Sequence, residues 1–259
     1  MFRVVVPARF DSARLPGKVL LPIGDRPMLH WVCACARESG AGQVVVATDD
    51  ERIRACAALA GVECVMTSTR HLSGTDRIAE AAGRLGWAPC DIVVNLQADE
   101  PLMPPALVGQ VAQLLQDHPE ADIATLATPV ASAQEFVDPN AVKVVLDEAG
   151  RALVFSRAPI PWDRDGAAGR VPGPDSHRGA LRHIGLYAYR VQSLLRMAQL
   201  PPGVLELREK LEQLRALAHG MQIRVALAAL PPGVDVNTPA DLERIRMLLA
   251  SYGGTSGQS

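Results

Sequence analysis

An α/β fold built on a parallel sheet is what this 259-residue chain predicts. Apolar runs of strand length alternate with helix-like segments through the first hundred residues, and a glycine follows each of those helices. Strands separated by helices are joined by crossovers, and the crossovers cover both faces of a parallel sheet.

Phe2–Pro7 is an apolar run and reads as the first strand. Residues 27–39 form a helical pattern stopped at Gly40, residues 43–47 a second strand, and residues 50–60 a helix stopped at Gly61. Residues 62–66, 75–85 and 91–96 repeat the cycle as strand, helix and strand, with Gly86 closing the helix. Glycine just past a helix supplies the left-handed residue that ends it. The second half changes character. Residues 141–146 and 152–155 flank Asp147-Glu148-Ala149-Gly150-Arg151, a hairpin signal. Residues 156–179 are rich in proline, glycine and charge, and so long an irregular stretch inside a compact domain is usually functional or disordered. A strand over 183–190, a helix over 205–218, a strand over 222–227 and a last helix over 238–249 follow. Residues 253–259 read as a disordered tail, which leaves 1–252 as a single domain with an element inserted around 141–190.

Composition excludes several classes of protein. The formal net charge is −2, so no global cationic field points to nucleic acid or an acidic membrane. Any anion site must be built locally. No apolar run approaches the roughly 20 residues needed to cross a bilayer. The first residues run straight into Arg9 and lack the pattern of a signal peptide, so a cytoplasmic protein is expected. The five cysteines, Cys33, Cys35, Cys56, Cys64 and Cys90, form no CxxC pair and are expected to be small buried hydrophobes in a reducing compartment. The six histidines lack zinc-ligand spacing.

Two segments carry chemistry. Arg9-Phe10-Asp11-Ser12-Ala13-Arg14-Leu15-Pro16-Gly17-Lys18 follows the first strand directly. Three cations in ten residues thus sit at the carboxyl end of a strand, where open α/β sheets bind ligands. Small residues let backbone N–H groups approach an anion, and the cations neutralise phosphate. It is not a Walker A loop, because Val19 follows Lys18, and no GxGxxG fingerprint occurs, which disfavours a Rossmann oxidoreductase. The same residues would also make an ordinary solvated basic loop. The second segment, Asn95-Leu96-Gln97-Ala98-Asp99-Glu100-Pro101, ends a buried strand in two acids. In a doubly wound sheet that fourth strand lies beside the first across the switch point, so Asp99 would face the loop. A carboxylate beside a triphosphate suits a magnesium anchor; the alternative is a helix N-cap before Pro104.

The loop from Pro7 to Lys18 resembles the signature loop of the CMP-Kdo synthetases, the 3-deoxy-manno-octulosonate cytidylyltransferases. So do His71-Leu72-Ser73-Gly74-Thr75-Asp76-Arg77, Asn140-Ala141-Val142-Lys143-Val144-Val145, Phe155-Ser156-Arg157-Ala158-Pro159-Ile160-Pro161-Trp162, Arg182-His183-Ile184-Gly185-Leu186-Tyr187 and Leu211-Glu212-Gln213-Leu214-Arg215. They stand in family order over residues 3–249. The loop alone would also admit CMP-sialic acid synthetases, but the segments at 155–162 and 182–187 are narrower.

The resemblance implies a Rossmann-like nucleotide-diphospho-sugar transferase fold, with a mixed, mostly parallel central sheet and a small dimerisation hairpin, acting as a homodimer. It implies transfer of CMP from CTP to the anomeric hydroxyl of the acidic sugar Kdo, with loss of pyrophosphate, for lipopolysaccharide biosynthesis and with Mg2+ as cofactor. Pro7, Ala8, Arg9, Arg14, Lys18, Ser73, Gly74 and Gln97 would hold the nucleotide; Arg9, Arg14, Lys18 and Asp99 would form the catalytic set. Arg77, Arg157, His183, Tyr187, Glu212 and Gln213 would line the sugar pocket. Arg157 offers the Kdo carboxylate a bidentate partner, and Tyr187, Glu212 and Gln213 can bind hydroxyls. Tyr187 as a core aromatic and Glu212 on a solvated helix face are the plain alternatives. Where relatives have glycine before the metal aspartate, this chain has Ala98. Near the end, relatives carry Gly-Val-Asp-Thr-Pro, whereas Gly233-Val234-Asp235-Val236-Asn237-Thr238-Pro239 is two residues longer. Asp235 and Asn237 are therefore both candidates to complete the metal site, with Asn237 favoured as the direct ligand unless it caps the last helix. A cytidylyltransferase for sialic acid or amino-Kdo, and a non-catalytic nucleotide-binding regulator, remain the competing readings.

Overall fold

The computed structural model describes residues 1–12, 15–71, 73–165 and 172–253. The sequence reading treats 1–252 as one domain; contacts group the chain as two compact units, Met1–Gly109 with the segment from Pro232 onward, and Gln110–Pro231.

The first unit opens with β1 (Phe2–Pro7), a 3₁₀ turn (Lys18–Leu20) and the short pair β2 (Pro22–Ile23) and β3 (Arg26–Pro27). Then come α1 (Met28–Glu38), β4 (Gln43–Thr48), α2 (Glu51–Leu59), β5 (Glu63–Met66), α3 (Gly74–Arg84) and β6 (Ile92–Asn95). The sheet order is β6-β1-β4-β5, all parallel. Val4 faces Val44 on one side and Val94 on the other, while Val4, Val5, Val45 and Val94 are fully buried. Such near-continuous valine runs are what a strand covered on both faces requires. Each fully buried valine contributes roughly 1.5 kcal/mol or more. With β4 and β6 on opposite sides of β1, the crevice at the strands' carboxyl ends opens between the loop after β1 and residues 96–101, as the sequence predicts. Asp50 caps α2 by accepting from Arg52 N, and Ser73 caps α3 by accepting from Asp76 N.

The chain passes into the second unit within α4 (Pro105–Asp117) and continues through β7 (Ile123–Pro129), α5 (Ala133–Val137), β8 (Lys143–Leu146), β9 (Ala152–Ser156) and β10 (Leu181–Arg190). After α6 (Val191–Gln199), α7 (Val204–Glu209), α8 (Gln213–Ala218) and β11 (Ile223–Leu227), the chain returns to the first unit at Pro232, ahead of α9 (Pro239–Gly253). Here β11 runs parallel to β7, while β7–β10, β10–β8 and β8–β9 are antiparallel. The predicted hairpin is β8–β9. Its turn is closed by Gly150 N on Asp147 O at 2.9 Å and by the Asp147 carboxylate, which accepts from Ala149 N and Arg151 N.

Two expectations need correction, and one alternative falls away. The helix read over 205–218 is two short helices, broken at Lys210 in the left-handed conformation with φ 56°. The Glu209 carbonyl accepts from Arg157 Nε at 2.7 Å, so tertiary bonding interrupts the local ladder. Not all cysteines are buried: Cys33, Cys35 and Cys56 are, but Cys64 is half-buried and Cys90 exposed. The last helix is capped by Thr238, whose hydroxyl accepts from Asp241 N at 3.2 Å while Asp241 accepts from Thr238 N at 2.9 Å. Asn237 is not the cap. Within the expected tail, residues 254–259 lie outside the described residues.

Candidate active site

The loop after β1 is shaped by its own backbone. Ala8 N donates to Ala47 O, and Gly17 N closes the loop on Phe10 O, both at 2.9 Å. Gly17 has φ 66°, and a Cβ there would stand 2.9 Å from the Phe10 ring, so another residue would be strained in angle and would displace the ring. The Phe10 ring is held in turn under the Arg52 guanidinium at 3.3 Å, and Arg52 is paired with Asp50 at 2.5 Å. This closure sets Lys18 at the start of the 3₁₀ turn. Arg14, assigned to the triphosphate, lies outside the described residues.

A cleft of about 400 Å³ opens beside this loop, within the range of small-ligand sites. Pro7, Ala8, Arg9, Lys18, Ser73, Gly74 and Gln97, all assigned to the nucleotide, line it. Gly74 opens α3 at the cleft, so a helix N-terminus adds its partial positive charge there. Asp99, Asn237 and Arg77 line the same cleft. Arg77 donates to Asp49 at 2.8 Å and to Thr67, and its side chain is 5% exposed. It thus belongs to the first unit with the nucleotide residues, whereas the other five residues assigned to the sugar belong to the second. Ser12 and His71 also line the cleft; both stand in the motif segments, but the sequence assigns them no role. His71 pairs with Glu80, which also accepts from Ser68 N at 2.8 Å and Arg84 at 2.6 Å. Burial opposes ionisation of Glu80, but Ser68 N, His71 and Arg84 outweigh it and hold the carboxyl below its usual value. The position of His71 just ahead of the α3 cap was the available signal.

Asp99 lines the cleft across from the loop, with Glu100 and Asp235 close enough to act on each other's charge. Lys18 Nζ lies 2.5 Å from Asp99 Oδ2 and 3.1 Å from Val236 O, and Val236 N donates to Asp99 O at 2.8 Å. Asn237 Nδ2 donates to Asp235 Oδ2, which turns the amide oxygen to the other side. Burial first, then Asp99 and Asp235, push the Glu100 carboxyl up to about 8. Glu100 Oε2 has no hydrogen-bond partner among the described residues. Asp99 and Asp235, with one lysine beside them, suit an added hard cation. No three His, Cys, Asp or Glu side chains form a metal cage among the described residues, and magnesium, which takes one or two carboxylates and completes its shell with phosphate oxygens and water, needs none. Ala98 keeps an ordinary backbone angle, so glycine is not required before Asp99.

The second unit collects the remaining residues assigned to the sugar. His183 faces Ala127 and Tyr187 faces Thr125 across β7, so two extra residues bulge out of β10 between them. Four residues of regular strand span about 13 Å; the bulge brings the two ring centroids to 5.2 Å. Phe155 meets His183 edge-on at 4.9 Å, and Tyr189 stacks with Tyr187 at 5.8 Å. Arg157 donates to Glu209 O and Pro139 O, both at 2.7 Å. The Glu209 carboxylate accepts from Ser156 Oγ at 2.6 Å and Arg157 N at 2.8 Å, so it anchors the backbone that carries the arginine. Sequence reading had no signal for Glu209, whose role depends on a contact 52 residues away. Gln213 is buried at the start of α8, and Glu212 sits 3.9 Å from Arg215.

Burial pushes His183 from 6.5 down to about 3. Between those values the unfolded chain binds a proton that the folded chain refuses, so this group makes stability fall as pH drops from 6.5. Its slope is at most about 1.4 kcal/mol per pH unit. Urea denaturation at pH 7 and pH 5 should show wild type losing more stability than His183→Gln; equal losses would contradict a ring kept neutral in the folded chain.

Such a cleft suits chemistry at the phosphates of a nucleotide, and on this fold it defines a nucleotidyltransferase. Residues 3–223 match the cytidylyltransferase family, and the chain belongs to that family. It is 52% identical over 248 residues to the 3-deoxy-manno-octulosonate cytidylyltransferase of Thioalkalivibrio sulfidiphilus, covering 96% of this chain and 98% of that one. It is 54% identical over 251 residues to the enzyme of the same name from Xanthomonas campestris pv. campestris strain B100, covering 96% and 89%. Among solved structures it is similar to CMP:2-keto-3-deoxy-manno-octonic acid synthetase complexed with CTP, with a TM-score of 0.87, 39% identity, and coverage of 97% of this chain and all of that one.

Proposed function

We propose that the chain transfers CMP from CTP to the anomeric hydroxyl of Kdo, releasing pyrophosphate. The carrying observation is the cleft that sets Lys18 and Arg9 against Asp99 at the switch point, in a chain that aligns over nearly its full length with Kdo cytidylyltransferases. The anomeric 2-hydroxyl approaches the α-phosphate in line with the departing pyrophosphate. Arg9 and Lys18 neutralise the phosphates, and the residues from Ser73 at the N-terminus of α3 lie with Gln97 by the base. Positioning and charge neutralisation supply the catalysis, and no side chain among the described residues is assigned as a dedicated base. Asp99 and Asn237 would hold magnesium, with Asp235 orienting the amide; the ion would neutralise charge and acidify the attacking hydroxyl.

The test is pyrophosphate release from purified protein with CTP, Kdo and Mg2+. Release should require all three and stop in excess EDTA; full activity in EDTA would refute the metal, and none with Kdo would refute the substrate. In a magnesium titration Asn237→Ala should raise the metal requirement more than Asp235→Ala, and the reverse order would make Asp235 the ligand.

We further read the protein as a cytoplasmic homodimer. Five unpaired thiols suit a reducing compartment, and no described helix is long and apolar enough to cross a membrane. Leu153 on β9 and Val204, Leu205 and Leu207 on α7 are 54–83% exposed, apolar surface that a second copy would cover. Light scattering at micromolar concentration should give twice the 27.6 kDa chain mass; a monomer would refute this.

A further inference from the structure

Thr125 lies within β7, fully buried, directly opposite the bulge in β10. Its hydroxyl oxygen stands 2.8 Å from Leu186 O, 3.0 Å from Ile184 O and 2.9 Å from His183 Nε2. A threonine hydroxyl carries one hydrogen, and carbonyl oxygens only accept. If that hydrogen pointed at His183, two oxygen–oxygen contacts at 2.8 and 3.0 Å would be left with no proton between them. The hydrogen therefore goes to the bulge carbonyls, and what Thr125 offers the imidazole is a lone pair. His183 Nε2 must then be the donor. Because burial keeps the ring neutral, the proton on Nε2 makes Nδ1 an acceptor.

We propose that Thr125 is a positioning residue for sugar recognition, its hydroxyl holding the β10 bulge and fixing His183 as the Nε2–H tautomer, so that the ring accepts a hydrogen bond from a Kdo hydroxyl. The proposal rests on the reading of His183 as a sugar residue. An acceptor nitrogen takes an O–H and repels a carboxylate, so it divides the work with Arg157, which suits the acid group. A polyhydroxylated acid is then read by opposite chemistry at its two ends.

The test is long-range 1H–15N NMR of imidazole-labelled protein, with the His183 signal assigned by its loss in His183→Gln. Wild type should show the Nε2–H tautomer. Thr125→Val should shift that residue towards Nδ1–H and raise KM for Kdo about tenfold, the effect of one misdirected hydrogen bond, with KM for CTP unchanged. Thr125→Ser, which keeps the hydroxyl, should restore both readouts. An unaltered Nε2–H signal in Thr125→Val overturns the proposal alone. A wild-type KM for Kdo in His183→Gln overturns the reading of the sugar site on which it rests. Should the valine variant not fold, an Nδ1–H tautomer in wild type overturns the proposal and an Nε2–H tautomer supports it.

Discussion

Asp99→Asn should lower kcat by about 10²–10³, the range seen when one preorganised electrostatic contact is removed, while the protein stays folded. The substitution keeps shape and volume but replaces a charge with a neutral amide. Asp99 is the carboxylate of the acid group that both lines the cleft and touches Lys18, so its charge cannot be replaced from Glu100, whose carboxyl is buried and pushed up to about 8. The Lys18–Asp99 pair is partly exposed, with side chains 15% and 24% accessible, so its loss costs about 1 kcal/mol or less. That corresponds to a melting shift of about 2–4 °C. Calorimetry and a magnesium titration of turnover measure the two effects separately. If Asp99→Asn kept most of its turnover at ordinary magnesium, Asp99 would have no place in the reacting centre.

Arg157→Ala should lower kcat/KM for Kdo by about 10–150-fold, equivalent to 1.5–3 kcal/mol for a lost charge-assisted bond, with CTP binding nearly unchanged. The side chain is held at two points, Glu209 O and Pro139 O, so its remaining N–H groups are presented with little entropy left to lose. Arg157→Lys should not rescue the activity, because an ammonium cannot span two carbonyls and still present a planar fork. Glu209 holds the residue-157 backbone amide in either variant, so the local fold survives. Titration calorimetry with CTP and steady-state kinetics in Kdo test both statements; a variant that lost CTP and kept Kdo would move this arginine to the nucleotide.

The first unit was legible because its information is local. Apolar runs and glycine stops lie within a few residues of what they determine, and the loop beside Asp99 follows from strand order alone. The second unit was less so. β7 is Ile-Ala-Thr-Leu-Ala-Thr-Pro, in which a large residue recurs every third position, so neither an apolar nor a polar face marks the two-residue period of a strand. The helix over 205–218 has the right periodicity, yet Arg157 takes the Glu209 carbonyl and the chain turns at Lys210. Thr125 and Glu209 escaped for one reason. Each acts on residues more than 50 positions away, and nothing beside it in the chain announces the partner.

The return of the chain at Pro232 also sets a timetable. Lys18 and the Val236 carbonyl it bonds are 218 residues apart, so a ribosome adding about 5–20 residues per second makes them on the order of 10–40 s apart. Through that interval Ile23 and Met28 wait for Val236, Leu242 and Ile245, with which they form one buried cluster in the finished protein. A nascent chain therefore carries an open apolar seam beside a cationic loop whose facing segment is not yet made. A chain cut short before Val236 would keep every residue of that loop, yet it would neither bury the seam nor bring Asn237 to the cleft. It should be cleared by proteases rather than linger as a partial nucleotide binder.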